Sequence, residues 1–314
     1  RDESNLVITG SSINDNHAET HGGGLYIENA MPFIFKDSDV HNNIGGGIEI
    51  QNGSRHQLSN ISVDGNQNRS GLTAYYVENW QASGLTIVNN EVGISIYGGH
   101  PIITNSVVAN NIGRGAELWN VKPFFVNCVI AHNDGWFDGN PTEIRFGGNS
   151  RVYLENSIVW GSNDNNSADM YDSDFDSNLD NTNTVRIGYA ILRTSNIQMN
   201  EENIHYFGTI INEDPQFIDP ENNEFEIILG SSPGVDNGNP SALYNDTDGS
   251  RNNIGNTGGR GLFMYAEGHN PHEYNHYNTW GSFLTSQFNS FYMGFSAVDL
   301  GNRTYAVHLI NNSN

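Results

Sequence analysis

Carboxylates, aromatic rings and a basic group recur at matching positions of one repeated sequence phrase. The short apolar runs align when one residue of each points inward, namely Ile27, Ile50, Val77, Ile96, Leu118 and Phe146. The residues just before them form one outward row, Tyr26, Glu49, Tyr76, Ser95, Glu117 and Arg145. The residues just after them form a second row, Glu28, Gln51, Glu78, Tyr97, Trp119 and Gly147. Aromatic rings beside polar groups suit a long sugar chain. The pattern therefore predicts polysaccharide contacts at Glu49, Tyr76, Tyr97 and Trp119.

The charged residues of these rows allow several kinds of chemistry. Glu78 and Glu117 are two repeats apart, roughly 10 Å at strand spacing, which is near the upper limit for an inverting glycosidase. Glu49 and Glu117 are roughly 14 Å apart, too far for either glycosidase geometry. Glu117 and Arg145 are neighbours, which suits an ion pair, or half of a lyase site in which a cation neutralises a uronate while a base removes its α-proton. Catalysis by Glu117, Arg145 and Glu78, glycan binding without catalysis, and a solvated face with compensating charges all stay open.

Alternating acidic residues predict a calcium site. Asp172, Asp174 and Asp176 lie in a polar stretch, and in an extended loop this spacing turns oxygens to one side, as calcium requires. The stretch lacks the glycine and the final acid of an EF-hand loop, so a solvated acidic loop is the alternative. Asp246 and Asp248, beside a glycine turn, form a second and weaker oxygen cluster.

A zinc-peptidase signature, H-E-x-x-H, occurs at His272-Glu273-Tyr274-Asn275-His276. The mechanism needs this signature on a helix, so that both histidines share one face and the glutamate activates water. The Gly and His expected downstream are missing, and no glutamate follows to serve as a third ligand. Asparagine and glycine are also poor helix formers here. Coincidence is the preferred interpretation.

A repeat with a period in the low twenties must position all of these residues. Each repeat closes with an asparagine three residues after a Val or Ile, at positions 16, 43, 66, 90, 111 and 133. The intervals of 27, 23, 24, 21 and 22 residues are typical of a solenoid. Each turn holds about three short strands joined by Asn- and Gly-rich corners. We expect the corner asparagines to bond to each other from coil to coil.

These coils resemble the right-handed parallel β-helix found in pectate lyases and many bacterial surface proteins. The resemblance implies an all-β solenoid of three-strand coils, and enzymes of this kind place their active sites on an outward sheet face. It covers about residues 5–160. The expected organisation is coils at 1–160, an acidic loop excursion at 161–184, final coils at 185–259, and an aromatic-rich C-terminal cap or interaction segment at 260–314.

A second resemblance rests on four motifs in a fixed order. They are Asp214-Pro215-Gln216-Phe217, then Gly230-Ser231-Ser232-Pro233-Gly234-Val235-Asp236-Asn237-Gly238, then Asp246-Thr247-Asp248-Gly249-Ser250-Arg251, and Ile254-Gly255 with Gly258-Gly259. This segment is similar to the closing segment of secreted bacterial β-helix proteins of the choice-of-anchor type, although Gly234 and Asn237 stand where alanines are usual. The resemblance implies an exported bacterial protein and the last coil of the helix, and no activity.

Composition limits the partners. Thirteen basic against 36 acidic residues give a net charge of −23, which excludes nucleic acid, whose phosphates need basic groups, and an anionic membrane surface. Nothing resembles a membrane span. The single cysteine, Cys128, lies in an apolar run and is expected in the core. No signal peptide is present and Arg1 opens partway into a coil, so we expect that a leader and some coils have been removed.

Three functions remain open. The first is a secreted or cell-surface protein that binds polysaccharide along the outward rows. The second is a carbohydrate-active enzyme, either a polysaccharide lyase or a glycoside hydrolase. The third is a structural or adhesive solenoid without a small ligand. The aromatic C-terminal segment is expected to cap the open strand edge of the helix, which invites association unless covered, and self-association through this segment is the alternative.

Overall fold

The computed structural model describes residues 6–30, 32–133, 142–161, 168–174, 182–241 and 244–259, together with the strand backbones at 296–299 and 305–308. These residues form an all-β parallel solenoid of about 8 turns. The predicted fold class is therefore confirmed. Each turn contributes one strand to each of three stacks, and neighbouring strands within a stack are parallel.

The strands of the first stack are β1 Leu6–Thr9, β4 Phe33–His41, β6 Gln57–Asp64, β8 Gln81–Val88, β10 Ile102–Thr104, β13 Phe124–Val126, β16 Arg151–Glu155, β19 Thr184–Gly188 and β22 Ile204–Tyr206. The second stack holds β2 Ser12–Asn14, the C-terminal halves of β4, β6 and β8, then β11 Val107–Ala109, β14 Val129–Ala131, β17 Ile158–Trp160, β20 Ala190–Leu192 and β23 Ile210–Ile211. The third stack holds β3 Leu25–Glu28, β5 Ile48–Gln51, β7 Ser70–Tyr75, β9 Val92–Tyr97, β12 Ala116–Trp119, β15 Thr142–Gly147, β18 Ala168–Asp172 and β21 Ile197–Gln198. Three short 3-10 helices span Thr194–Asn196, Glu201–Asn203 and Pro220–Asn222.

A narrow apolar core fills the space between the stacks. Strand residues alternate in direction, so Ile48 and Ile50 of one strand both point inward and are almost fully buried. Leu58 and Val63 meet them from the other two stacks and are also fully buried. Because every coil adds the same thin layer, each coil is stabilised mainly by its two neighbours.

A ladder of buried asparagines joins the coils along one corner. At Asn90, Oδ1 accepts the backbone N–H and the Nδ2–H of Asn66 at 3.0 and 2.9 Å. Asn90 repeats the pattern by donating its N–H and Nδ2–H to Oδ1 of Asn111, and Nδ2 also reaches the carbonyls of Val63 and Val88. The predicted coil-to-coil bonding of the corner asparagines is confirmed from Asn16 to Asn133.

A row of glycines makes room for this ladder. A Cβ at Gly71 would lie 2.8 Å from Nδ2 of Asn90, and one at Gly93 would lie 2.9 Å from Nδ2 of Asn111. Such distances are shorter than carbon–nitrogen contact allows, so only glycine fits. The same position in the other coils is Gly24, Gly47 and Gly115. Each of these repeats therefore needs a glycine at this position, because the buried asparagine of the next coil packs directly against it.

The ladder ends on a buried glutamate. In the coil after Asn133, the glycine position is occupied by Glu143, which accepts the backbone N–H of Asn133 at 3.1 Å and its Nδ2–H at 2.5 Å. One coil later the same position is Asp169, which accepts the N–H of Gly161 and pairs with Arg193 at 2.6 Å. In the coils that follow the last corner asparagine, buried acids of the third stack thus accept the hydrogen bonds that asparagine side chains accept in the earlier coils.

The cysteine occupies a serine position on another corner. Ser106 and Ser157 each accept a backbone N–H from the preceding coil. Between them, Cys128 is buried and donates its thiol to the carbonyls of Ile103 and Val126. Burial raises the pKa of this thiol to about 12. The expectation of a core cysteine is confirmed.

Two parts of the expected organisation are wrong. Residues 161–184 are not only a loop, because Ala168–Asp172 form β18, which pairs with β15 and β21. Residues 212–259, here called the clasp, do not continue the parallel coils. Within the clasp β24 Phe217–Asp219 and β25 Glu224–Ile227 are antiparallel. The last parallel strands are β22 and β23, which precede the clasp.

The clasp covers the outward side of the second stack. Phe217, Phe225, Ile227 and Ile254 form one buried cluster with outward apolar residues of the coils, Val88, Val107, Ala109, Val129, Ala131, Ile158 and Ile191. Polar contacts accompany this packing. Asn110 donates to the carbonyl of Pro220 and to Oδ1 of Asn223, both at 2.7 Å.

The chain divides into two compact units, Arg1–Phe263 and Met264–Asn314. In the second unit the structure describes one antiparallel pair, β26 Ser296–Asp299 with β27 Tyr305–His308. The rest of the expected cap, the zinc-peptidase signature at 272–276 and Asp176 lie outside the described residues.

Removing one member of the ladder should destabilise the solenoid. Asn90→Ala leaves the amide groups of Asn66 without their acceptor and opens the link to Asn111, so we expect a loss of about 3 kcal/mol. Asn89→Gly is the matched control, because Asn89 is exposed with a φ of 58° that glycine tolerates. Urea unfolding followed by circular dichroism measures both. Equal losses in the two variants would contradict the role of the ladder.

The carboxyl that ends the ladder should make stability depend on pH. Burial raises the pKa of Glu143 well above its usual range, so its contribution is favourable below the unfolded value of about 4.3 and is lost as pH rises through the folded value. Glu143→Gln should therefore match the wild type near pH 4 and be more stable near pH 7. Exposed Glu213→Gln is the control, and the measurement is the free energy of unfolding across that range. A Glu143→Gln variant that is less stable at pH 7 would contradict this account.

Candidate functional site

The outward side of the third stack carries a line of polar and aromatic residues, here called the strip. The strand register places in its first row Tyr26, Glu49, Thr73, Ser95, Glu117, Arg145 and Tyr171. The second row holds Glu28, Gln51, Tyr75, Tyr97, Trp119 and Gly147. The predicted rows are therefore confirmed, except at the third coil.

The prediction for the third coil was wrong by three residues. The inward residue of that coil is Ala74, which pairs with Ile50 and Ile96, whereas the apolar pattern of the sequence predicts the larger Val77. Tyr76 consequently lies beyond the strand at a corner, with φ of 53°. Glu78 lies further along and accepts from His100 at 2.9 Å on an exposed surface. The proposed carboxylate pair of Glu78 with Glu117 is thus not on one face, and the inverting-glycosidase geometry loses one of its two groups.

The aromatic residues of the strip stack on one another. The rings of Tyr75 and Tyr97 are 4.8 Å apart and tilted by 18°, and the guanidinium of Arg145 lies 5.8 Å from the ring centre of Trp119. Burial, followed by the charge of Glu117, raises the pKa of Tyr97 to about 12. Because of this stacking, the ring faces contact other protein groups. A ligand can therefore contact the ring edges and the neutral tyrosine hydroxyls of this row.

Glu117 is the centre of a charged cluster. Its Oε1 lies 3.8 Å from Nη1 of Arg145 and 3.7 Å from Nη1 of Arg114, and Trp119 Nε1 donates to it at 3.4 Å. The predicted ion pair of Glu117 with Arg145 is confirmed. Arg114 is not predicted from the repeat, because this residue precedes the strand and is not in the aligned rows.

A cleft of about 510 Å³ opens beside Glu49. This carboxylate is only 2 % exposed, and it accepts from Gln51 at 2.5 Å and contacts His21 at 3.2 Å. Arg69 lies 3.7 Å from its second oxygen, and Tyr75 joins these groups in the lining. His21 and Arg69 are not among the residues predicted from the aligned rows. The available signal was the insertion at both corners, since inserts on a solenoid tend to gather on its binding face.

Asp172 and Asp174, two of the predicted calcium ligands, are engaged by N–H groups. Oδ1 of Asp172 accepts from Nδ2 of Asn183 at 2.7 Å and from the backbone of Asp174 at 3.0 Å. Oδ2 of Asp174 accepts from the backbone of Gly148 and from Asn183. These carboxylate oxygens therefore accept hydrogen bonds that hold the corner of the coil together. Calcium at this position stays a prediction.

The second predicted oxygen cluster is part of a turn. Asp246 accepts the backbone N–H groups of Asn253 and Gly259, and Asp248 accepts from Ser250. These bonds hold together the end of the clasp. Among the residues that the structure describes, no three His, Cys, Asp or Glu side chains are grouped so that they could hold a metal ion.

Comparison with known proteins gives no family for the chain. It matches no protein-family model, no curated protein and no solved structure. The similarity of residues 214–259 to choice-of-anchor proteins therefore stays a prediction. Within the described part of the chain, no helix is long and apolar enough to cross a membrane.

Substitution of Glu117 should reduce stability more than substitution of Glu78, because Glu117 belongs to a packed charge cluster and Glu78 to an exposed pair. Glu117→Gln removes the carboxylate shared by two arginines that are largely buried, so we expect a loss of about 1–2 kcal/mol in the free energy of unfolding. Glu78→Gln breaks an exposed contact with His100 and should cost less than about 0.5 kcal/mol. Urea unfolding measures both. If Glu78→Gln is the more damaging, the assignment of Glu117 to the packed cluster is wrong.

Proposed function

We propose that the protein binds a polysaccharide along the strip, with the chain of sugars parallel to the solenoid axis. The observation that carries this proposal is the in-register row Tyr75, Tyr97 and Trp119 on three adjacent strands, continuous with the Glu49 cleft on one side and with Arg145 on the other. From Glu49 to Arg145 is four strand spacings, about 19 Å. This length suits several consecutive sugar units.

The chemistry of the strip suits sugar hydroxyls. Hydroxyl, carboxylate, guanidinium and indole N–H groups alternate along it within a short distance. Sugars need both donors and acceptors at fixed positions, and a small number of polar groups beside apolar rings provides orientation and specificity. Because Tyr75 and Tyr97 stack on each other, we expect recognition mainly through hydrogen bonds, with ring-face contact limited to exposed tyrosines such as Tyr76, which is 64 % exposed.

The strip also differs from its surroundings in charge. Three of the 13 basic residues of the chain, Arg69, Arg114 and Arg145, lie on it or at its border, although the chain as a whole carries −23. Acidic glycans would otherwise be repelled by such a charge. We therefore favour a ligand that carries carboxylate groups. The proposal includes export to the cell surface, where such polysaccharides and calcium are found together.

Loss of one aromatic residue should reveal the binding face. In a glycan array of acidic and neutral oligosaccharides, Trp119→Ala should weaken binding about tenfold or more. Tyr206→Ala is the matched control, because Tyr206 is an exposed aromatic of the first stack and should leave binding unchanged. The array is run with calcium and with chelator, and equal binding in both would dismiss a calcium requirement. If no glycan binds under either condition, the proposal is wrong and a structural or adhesive role is favoured.

A further inference from the structure

The Glu49 cleft contains a buried carboxylate with an unused oxygen. Glu49 is 2 % exposed, and its Oε1 is engaged by Gln51 and His21. Its Oε2 makes no hydrogen bond to any described residue and lies 3.7 Å from Nη1 of Arg69. Buried polar atoms almost always have a hydrogen-bond partner, so an oxygen in this state, on a side chain that lines a cleft, indicates a site with a task beyond packing.

The carboxylate orients a histidine. Nδ1 of His21 bonds to Glu49 at 3.2 Å, and the imidazole stacks on Tyr26 with ring centres 4.5 Å apart and a tilt of 20°. The hydrogen bond assigns the proton to Nδ1, which leaves the lone pair on Nε2. The side chain is 47 % exposed, and no described residue bonds to Nε2. A carboxylate that holds a histidine in one tautomer and stabilises its imidazolium is the arrangement of a general base.

Two further groups complete the cleft. Arg69 supplies a guanidinium, the group that binds carboxylates most effectively, and Tyr76 supplies a phenol that is 64 % exposed. Tyr76 has φ of 53°, the left-handed conformation that the same corner position adopts in the neighbouring coils at Asn52 and Asn120, and the corner turns its ring toward the cleft lining. Gly98 accommodates it, because a Cβ there would lie 3.0 Å from the Tyr76 ring.

We propose that this cleft is a β-elimination site for a uronate-containing polysaccharide, with His21 as base, Arg69 as the partner of the uronate carboxylate and Tyr76 as acid. Glu49 is the positioning residue of His21. The proposal rests on the proposed function, because the strip must deliver the polysaccharide to the cleft. It places the chemistry three strands away from Glu117, which becomes part of the binding surface.

The step balances without a cofactor. Nε2 of His21 takes the proton from the carbon next to the uronate carboxylate, and the electrons of that C–H bond form a double bond to the adjacent ring carbon. The C–O bond from that carbon to the next sugar breaks, and its electron pair goes to the leaving oxygen. That oxygen takes the proton of the Tyr76 hydroxyl. The imidazolium and the phenolate then exchange a proton through solvent, which restores both groups.

The test measures product and binding separately on the full chain. The probes are polygalacturonate and alginate, with a neutral cello-oligosaccharide as the negative probe. Elimination is followed by the ultraviolet absorbance of the new conjugated double bond, between about pH 5 and 8, with chelator present. Binding is measured by calorimetry. The variants are His21→Asn, whose amide can still donate to Glu49, Tyr76→Phe, Glu49→Gln and the matched control His17→Asn, an exposed histidine of the same corner.

The expected result is elimination by the wild type and by His17→Asn, and a loss of at least about 100-fold in kcat for His21→Asn and Tyr76→Phe with binding retained. Glu49→Gln should lower kcat and leave KM unchanged, since it acts through His21. A wild type that binds a uronan but forms no unsaturated product overturns this proposal alone. A wild type that binds no uronan overturns it together with the proposed function. Full activity of His21→Asn overturns the assignment of the base.

Discussion

The hydrogen bond between one asparagine side chain and the backbone of the preceding coil is the constraint on which the rest of the structure depends. In a solenoid each strand could slide along its neighbour, and a slip of one residue would turn every inward side chain outward. The amide of Asn66 prevents this slip, because its N–H and Nδ2–H must both reach Oδ1 of Asn90. The ladder therefore fixes the register of all three stacks at one corner.

This register explains why polar groups distant in sequence meet on the strip. Glu117 and Arg145 are 28 residues apart in the chain and directly opposite each other on adjacent strands. Their ion pair follows from the ladder and not from local sequence. The same holds for Tyr75 and Tyr97, whose stacked rings occupy paired positions. Because the ladder fixes the register, residues at equivalent positions of successive repeats lie side by side in a line along the strip.

Sequence could predict the fold and most of the strip because the asparagine and glycine positions are both dictated by sterics. It failed at the third coil, where an Ala74 occupies the inward position and the larger Val77 gave a better apolar match. Aligning on the glycine that must pack against Asn90, Gly71, gives the correct register. The cleft was missed for a different reason. His21 and Arg69 lie in corner insertions, which follow no repeat, and only the fold brings them beside Glu49.

The clasp and the strip show how side-chain polarity decides which face of the solenoid stays accessible. The outward residues of the second stack include Val107, Val129 and Ile158, and such a contiguous apolar surface would be a liability if exposed. The clasp covers it with two phenylalanines and two isoleucines. On the third stack the corresponding outward positions carry Glu117, Arg145 and tyrosines, which need no cover among the described residues. The covered face stabilises the solenoid. The polar face, which is held in register by the same ladder, is the one available to a ligand.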